Sequence, residues 1–262
     1  MKNSNRWAVL SFSIVVAACG GVDPGSPAGT GAASEPAAAS TAEGLDGFSQ
    51  YAVGVYMPDA RYCWSDMLVT LYTDDEDDSN ESDATAFEPT STARRARRSN
   101  TGHGGTTWQF CKFDGRPFKS LTRYGNTDYY YATLKLGTTC PNGSMEFERQ
   151  IDGEHDSNRS YITGPTGPNY VASGGVHLFF CMFGTNTDKM TSFPDFAMPY
   201  AVFHDYDSGQ PSLFLAKKWV YSDDEDLHNF NYTSPGSGPD FALFDNMVGG
   251  GNNTMYDLAQ VR

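Results

Sequence analysis

The chain reads as an all-β domain built from three copies of one unit. Three observations predict this. Short apolar runs separated by turn residues carry no long amphipathic helical pattern. The composition is rich in Tyr (15), Phe (17) and Gly (27). Three signatures recur in the same order at spacings of 69 to 80 residues.

The first signature opens each unit: Tyr51-Ala52-Val53, Tyr131-Ala132-Thr133 and Tyr200-Ala201-Val202. The second is an acidic turn. It runs Asp74-Asp75-Glu76-Asp77-Asp78-Ser79-Asn80, then Asp152-Gly153-Glu154-His155-Asp156-Ser157-Asn158, then Asp223-Asp224-Glu225-Asp226-Leu227-His228-Asn229. The third closes the unit with an apolar run at Trp108–Phe113, Leu178–Phe183 and Tyr256–Val261. The repeats therefore span about 51–121, 129–193 and 199–262.

Each repeat predicts about four strands. The first starts at the Tyr-Ala pair. The second runs into the acidic turn over 67–73, 145–151 and 217–222. A weaker third lies near Phe87, Tyr161 and Tyr232, and the fourth is the closing run, whose continuous hydrophobicity implies burial on both faces. Asn142-Gly143 marks a hairpin between strands one and two of the second unit. Strand two of the third unit departs from the apolar phase of the second, which predicts a bulge or a shifted alignment there. Three-fold repetition of four strands suggests a β-trefoil-like domain, with a three-fold prism or a tandem β-sandwich as alternatives.

Ahead of this domain, Lys2 and Arg6 precede an uncharged apolar run from Trp7 to Ala18. Twelve residues span only about 18 Å as a helix, too short for a lasting transmembrane anchor. Residues 1–18 thus read as a signal peptide. The run ends in Val16-Ala17-Ala18-Cys19, which resembles the lipobox of bacterial lipoproteins. The resemblance, confined to residues 1–19, implies cleavage before Cys19, a diacylglycerol on its sulfur and an acylated amine. Gly20 in place of an acidic residue implies, by the same resemblance, the outer membrane of the cell envelope. Residues 19–44 are nearly all Gly, Ala, Ser, Thr and Pro, so the lipidated cysteine leads into a flexible linker. The single β domain occupies 45–262.

Without Lys2 and Arg6 the chain has 16 basic residues against 32 acidic ones, a net charge of −16. That balance argues against nucleic acid and against electrostatic attachment to anionic lipid. Beyond Cys19 four cysteines remain: Cys63 and Cys111 in unit one, Cys140 and Cys181 in unit two. Unit three lacks both together, having Pro211-Ser212 and Ala259 at the matching places. Paired loss implies paired use, hence disulfides Cys63–Cys111 and Cys140–Cys181, as expected outside the cytoplasm.

The acidic turns hold fourteen of the 32 carboxylates. Oxygen side chains at alternate positions, Asp74, Glu76, Asp78 and Asn80 in unit one and Asp152, Glu154, Asp156 and Asn158 in unit two, are the ligand type that Ca²⁺ takes. The sixth-position glycine and twelfth-position glutamate of an EF-hand are missing, and solvated turns bonded to their own backbone are the competing reading. Arg94, Arg95, Arg97 and Arg98 form the one basic cluster, beside Gly102-His103-Gly104-Gly105. They would clamp a phosphate or sugar acid, or they balance the neighbouring acids. The five histidines form no placed catalytic constellation. The expectation is a lipid-tethered envelope module that binds a glycan or another envelope component without catalysis. A hydrolase of envelope or extracellular polymers and a calcium-stabilised structural or adhesive module are the alternatives.

Overall fold

A computed structural model of the chain describes residues 50–57, 60–75, 83–84, 94–96, 104–121, 129–152, 158–172, 175–184, 188–196, 198–204, 213–222, 232–234, 244–245 and 254–261. Cys19, the linker, Glu76, Asp78, Asn80, Glu154, Asp156, Phe87, Arg97, Arg98 and Pro211-Ser212 lie outside them.

All regular structure among the described residues is β except one 3₁₀ turn at Ala60–Tyr62. Unit one supplies β1 (Ala52–Tyr56), β2 (Leu68–Asp75), β3 (Asp83–Ala84), β4 (Arg94–Ala96), β5 (Gly104–Asp114) and β6 (Ser120–Leu121). Unit two supplies β7 (Tyr131–Lys135), β8 (Ser144–Ile151), β9 (Tyr161–Thr163), β10 (Tyr170–Ala172), β11 (Gly175–Phe183) and β12 (Lys189–Met190). Unit three supplies β13 (Ala201–His204), β14 (Ala216–Ser222), β15 (Tyr232–Ser234), β16 (Phe244–Asp245) and β17 (Thr254–Gln260).

The long closing strand organises each unit. β5 pairs antiparallel with β1 on one edge and β2 on the other; β11 does the same with β7 and β8, and β17 with β13 and β14. The opening strands are shorter than the closing ones, so the first half of one closing edge is left over. A short extra strand fills it: β4 on Gly105–Thr107, β10 on Gly175–His177, β16 on Met255–Tyr256. Backbone N–H and C=O groups left unpaired in a buried sheet are costly, which is why each unit gains this edge-filling strand in addition to the expected four.

Pairing between units is cyclic and keeps one register. Ala84 of β3 opposes Val220 of β14; Ile162 of β9 opposes Leu71 of β2; Thr233 of β15 opposes Arg149 of β8. Ala84, Ile162 and Thr233 each lie ten residues beyond the first aspartate of their own acidic turn (Asp74, Asp152, Asp223). Val220, Leu71 and Arg149 each lie three residues before the corresponding aspartate of a neighbouring unit. The opening strands β1, β7 and β13 also contact one another in pairs. The pairing puts strand four between strands one and two and leaves the large sheet open. It therefore does not give the β-trefoil expected from the strand count, in which strands one and four close a barrel. The third unit's strand two runs against β17 without interruption from Ala216 to Ser222, so the expected bulge is absent. A third-strand segment of unit one is found at Asp83–Ala84, ending three residues ahead of Phe87.

Residues 42–262 form one unit with apolar clusters on both faces of the opening strands. One cluster draws on all three repeats, with Trp108 against Tyr256 at 4.8 Å, Phe180 against Phe203 at 5.2 Å and Phe147 against Phe180 at 5.1 Å. Arg149 is buried there at the three-fold position that carries Leu71 and Val220 elsewhere. The other cluster gathers Phe118, Tyr129, Phe193, Phe196 and Tyr200 from the stretches on either side of the unit boundaries, over Cys63, Cys111 and Cys181.

Candidate functional site

Both expected disulfides are formed, Cys63–Cys111 and Cys140–Cys181, with Cα–Cα distances of 5.7 and 5.4 Å. Each ties the loop ahead of strand two to the closing strand of the same unit. The Cys63 loop also presents Tyr62 and Trp64, 54% and 66% exposed.

The first aspartates of the acidic turns, Asp74 and Asp152, are buried rather than solvated. Asp74 sits opposite Gly105 in the ladder, where a Cβ would run into the Tyr72 ring. Its Oδ1 accepts the Tyr72 hydroxyl (3.2 Å) and its Oδ2 accepts the Arg159 N–H (2.7 Å), while its own N–H donates to Ser160 Oγ (2.9 Å). Asn158 Oδ1 accepts the Ser160 N–H (2.8 Å). Asp74 therefore clasps unit two to unit one beside the β2–β9 pair. Among the described residues no three His, Cys, Asp or Glu side chains gather as a metal site.

The structure brings together side chains that sequence reasoning passed over. His177 Nδ1 lies 2.7 Å from Glu148 Oε1, a diagonal contact between neighbouring strands β11 and β8. The two side chains are 14% and 19% exposed. Across the ladder on the other side, Tyr170 pairs with His177 and stacks on its imidazole at 4.4 Å and 10°. Tyr170 is 46% exposed, so its second ring face meets solvent. The carboxylate holds the imidazole by Nδ1, and the imidazole backs the phenol.

This trio exists once. At the three-fold positions of Glu148, His177 and Tyr170, unit one has Thr70, Thr107 and Arg94, and unit three has Trp219, Met255 and Asp245. Arg94 and Arg95, on β4, thus begin the arginine cluster at the place three-fold related to Tyr170. A comparison of the repeats at these positions would have singled out Glu148 and His177 as an acid and an imidazole where the other units have Thr70 with Thr107 and Trp219 with Met255.

The neighbouring turn is pinned by Asn169. Its Nδ2 donates to Lys135 O (2.7 Å) and Thr166 O (2.6 Å), and its Oδ1 accepts the Phe179 N–H (2.7 Å). It occupies the seam where the β11 edge passes from β10 to β7, and so fixes the chain leading directly into Tyr170. A polar cleft of about 230 Å³ lies among Tyr51, Arg116, Lys119, Asn142 and Asp188. Its cations are already committed: Arg116 is bidentate on Asp114, and Lys119 meets Asp188 at 2.5 Å. Burial works against the Asp114 carboxylate, but the hydrogen bonds and charge of Arg116 outweigh it and hold the group below its ordinary range. Tyr131 and Tyr200 are pushed above the ordinary phenol range, both chiefly by burial.

A family model described as Bacterial ApeC matches residues 47–187, over half of the chain. The matched span ends just past β11 and holds both disulfides, Glu148, Tyr170 and His177. No curated protein and no solved structure matches the chain.

Proposed function

We propose, from the premise that the chain belongs to the bacterial ApeC family, that it is a lipid-tethered envelope module whose second unit binds a glycan without catalysis. The single observation that carries this is Tyr170: an exposed ring whose buried face rests on an imidazole oriented by a carboxylate. A sugar ring presents a C–H face that packs on an aromatic plane, and hydroxyls that suit a neighbouring imidazole and carboxylate. Pre-organisation favours the role, because the Glu148–His177 contact and the Asn169 clamp fix the platform before any ligand arrives. A single copy on a three-fold scaffold fits a specific site better than a scaffold feature. The tether is the other half of the reading. It rests on the lipobox-like Val16-Ala17-Ala18-Cys19 and on the linker that follows.

Co-sedimentation of the mature chain with isolated envelope polysaccharide tests the binding. Tyr170→Ala should weaken retention about tenfold or more, as loss of one stacked ring does, with Tyr161→Ala as the exposed-tyrosine control. Equal retention of wild type and Tyr170→Ala would refute the site. Intact-mass analysis of the N-terminus tests the tether: the mature protein should begin at a lipid-bearing Cys19, and Cys19→Ser should abolish the lipid mass.

A further inference from the structure

The linker of residues 19–44 joins the β domain just ahead of Gln50, and three features crowd the place where it does. The first is backbone. Gln50 O accepts the Thr139 N–H (3.0 Å), Tyr51 O accepts the Gly115 N–H (2.9 Å), and a Cβ on Gly137 would run into Gln50 O. The second is an open cleft of about 490 Å³, walled by Gly137 and Thr138 together with Lys112, Lys135 and Gly167, among others. The third is the disulfide-bound loop that presents Tyr62 and Trp64. Main-chain bonds fasten it beside the cleft: the Met67 N–H donates to Trp64 O (2.9 Å), and the Lys112 N–H donates to Met67 O (2.9 Å). We propose that this face of the domain rests on the phospholipid surface that holds the tether, with Tyr62 and Trp64 at the headgroup boundary and Lys112 on a lipid phosphate. This rests on the tether half of the reading above, and adds which face meets the lipid.

Tyr62 and Trp64 are each more than half exposed, while Cys63 between them is buried and bonded to Cys111. Trp and Tyr settle at a membrane–water boundary because each carries a polar group on an apolar ring. A loop already held by a disulfide and by the β5 backbone presents them without further ordering, which lowers the entropic cost of contact. The loop's own charges, Arg61 and Asp66, cancel in sum.

Lys112 supplies the charge. It is half-buried and makes no ion pair among the described residues. Gly54, which has no side chain, stands directly across the ladder from it, and Leu134 lies beyond. Lys135 also lines the cleft, but the register puts it on the other face of the sheet, where its Nζ donates to Glu146 Oε2 at 2.6 Å. Asp114, two residues along β5, is held by Arg116 in a bidentate pair. Among the described residues no carboxylate lines the cleft. The acidic turn of unit one starts at Asp74, opposite Gly105 and so seven residues along β5 from Lys112, about 24 Å at 3.4 Å per residue. That exceeds the Debye length of about 8 Å in physiological salt, so this turn does not cancel Lys112 at the surface. The tether raises the effective concentration of lipid, so a contact too weak to recruit the chain from solution is made once the chain is anchored.

Tryptophan quenching tests the proposal. Once residues 1–18 are removed, three tryptophans remain: Trp64, the buried Trp108 and the half-buried Trp219. The full mature chain is reconstituted in vesicles of phosphatidylcholine and phosphatidylglycerol that carry a spin label on some headgroups. Wild type should be quenched, and Trp64→Phe should lose most of the quenching. Lys112→Met should lower the ratio of apposed to lifted domain roughly fivefold, the contribution of one basic side chain at such a surface, and Lys112→Arg should keep it. A melting midpoint equal to wild type shows that each variant is folded. If the chain bears its lipid and floats with the vesicles, yet Trp64→Phe is quenched as much as wild type, the apposition is overturned and the tether stands. If the N-terminus bears no lipid and the chain does not float, the tether reading falls and this inference with it. Quenching that Trp64→Phe removes but Lys112→Met leaves unchanged overturns the phosphate contact.

Discussion

Asp74→Ala should unfasten unit two from unit one, and the cost can be worked from the geometry. The substitution removes the acceptor of the backbone Arg159 N–H, on the buried carboxylate of Asp74, and of the Tyr72 hydroxyl. A hydrogen bond to a charged group contributes about 1.5–3 kcal/mol, and leaving the part-buried Arg159 N–H without that acceptor adds up to about the worth of a neutral bond. Tyr72 is only half-buried and can turn its hydroxyl to water, so it counts for less. The sum is about 2–4 kcal/mol, a large part of a typical 5–15 kcal/mol of total stability. For a domain of this size that lowers the melting midpoint by roughly 5–15 °C. Asp74→Asn keeps the shape and one oxygen acceptor, and should cost only about 1 kcal/mol. Calorimetric melting with chelator present, so that no calcium contributes, gives the magnitude. Amide hydrogen exchange gives the place: Tyr161–Thr163 of β9 should lose protection before the β8–β11 ladder does. An Asp74→Ala midpoint within about 2 °C of wild type, with β9 protection unchanged, would refute the clasp.

Gly105→Ala should destabilise by about 1–3 kcal/mol in urea titration, because its Cβ meets both the Tyr72 ring and the Thr73 carbonyl. Replacing either cysteine pair by alanine should cost about 4 kcal/mol on the chain-entropy model for separations of 48 and 41 residues, read from urea midpoints. Alkaline pH should destabilise the domain through Tyr131 and Tyr200. Their folded pKa values are raised, so their contribution is full below the ordinary phenol value of 10.0 and is lost as pH climbs above it. The urea midpoint should drop between pH 9 and pH 11 for wild type and drop less for Tyr200→Phe.

Much of the framework was legible because it repeats. Strand two was expected over 67–73, 145–151 and 217–222 and is found at Leu68–Asp75, Ser144–Ile151 and Ala216–Ser222. The disulfides were legible because unit three loses both members of a pair. The strands β4, β10 and β16 were not. They are two or three residues long, and so short a segment shows no period. What places them is the length mismatch between opening and closing strands. The cyclic exchange was hidden for a different reason. Contacts between residues as far apart as Ala84 and Val220 leave no local trace, although the shared ten-residue offset was present in the sequence all along.

The candidate site was missed because Tyr170 and His177 lie outside the strands expected from the pattern, and Glu148, inside one, belongs to no motif. In β8 and β11 the alternation is real: Phe147, Arg149 and Ile151 point inward, while Glu148 and His177 belong to the opposite face. The repeat separates these two roles by physics. A position that sets ladder register answers the same backbone demand where it recurs, as the aspartates of units one and two do, Asp74 opposite Gly105 and Asp152 close to Gly175. A position free of that demand can diverge, and it has: Thr70 and Thr107, Glu148 and His177, Trp219 and Met255 are three solutions to one place on the fold. Only the middle one combines an acid, an imidazole and an exposed ring. Symmetry that the ladder enforces therefore carries stability, and the departure at Glu148, His177 and Tyr170 is where we propose that recognition resides.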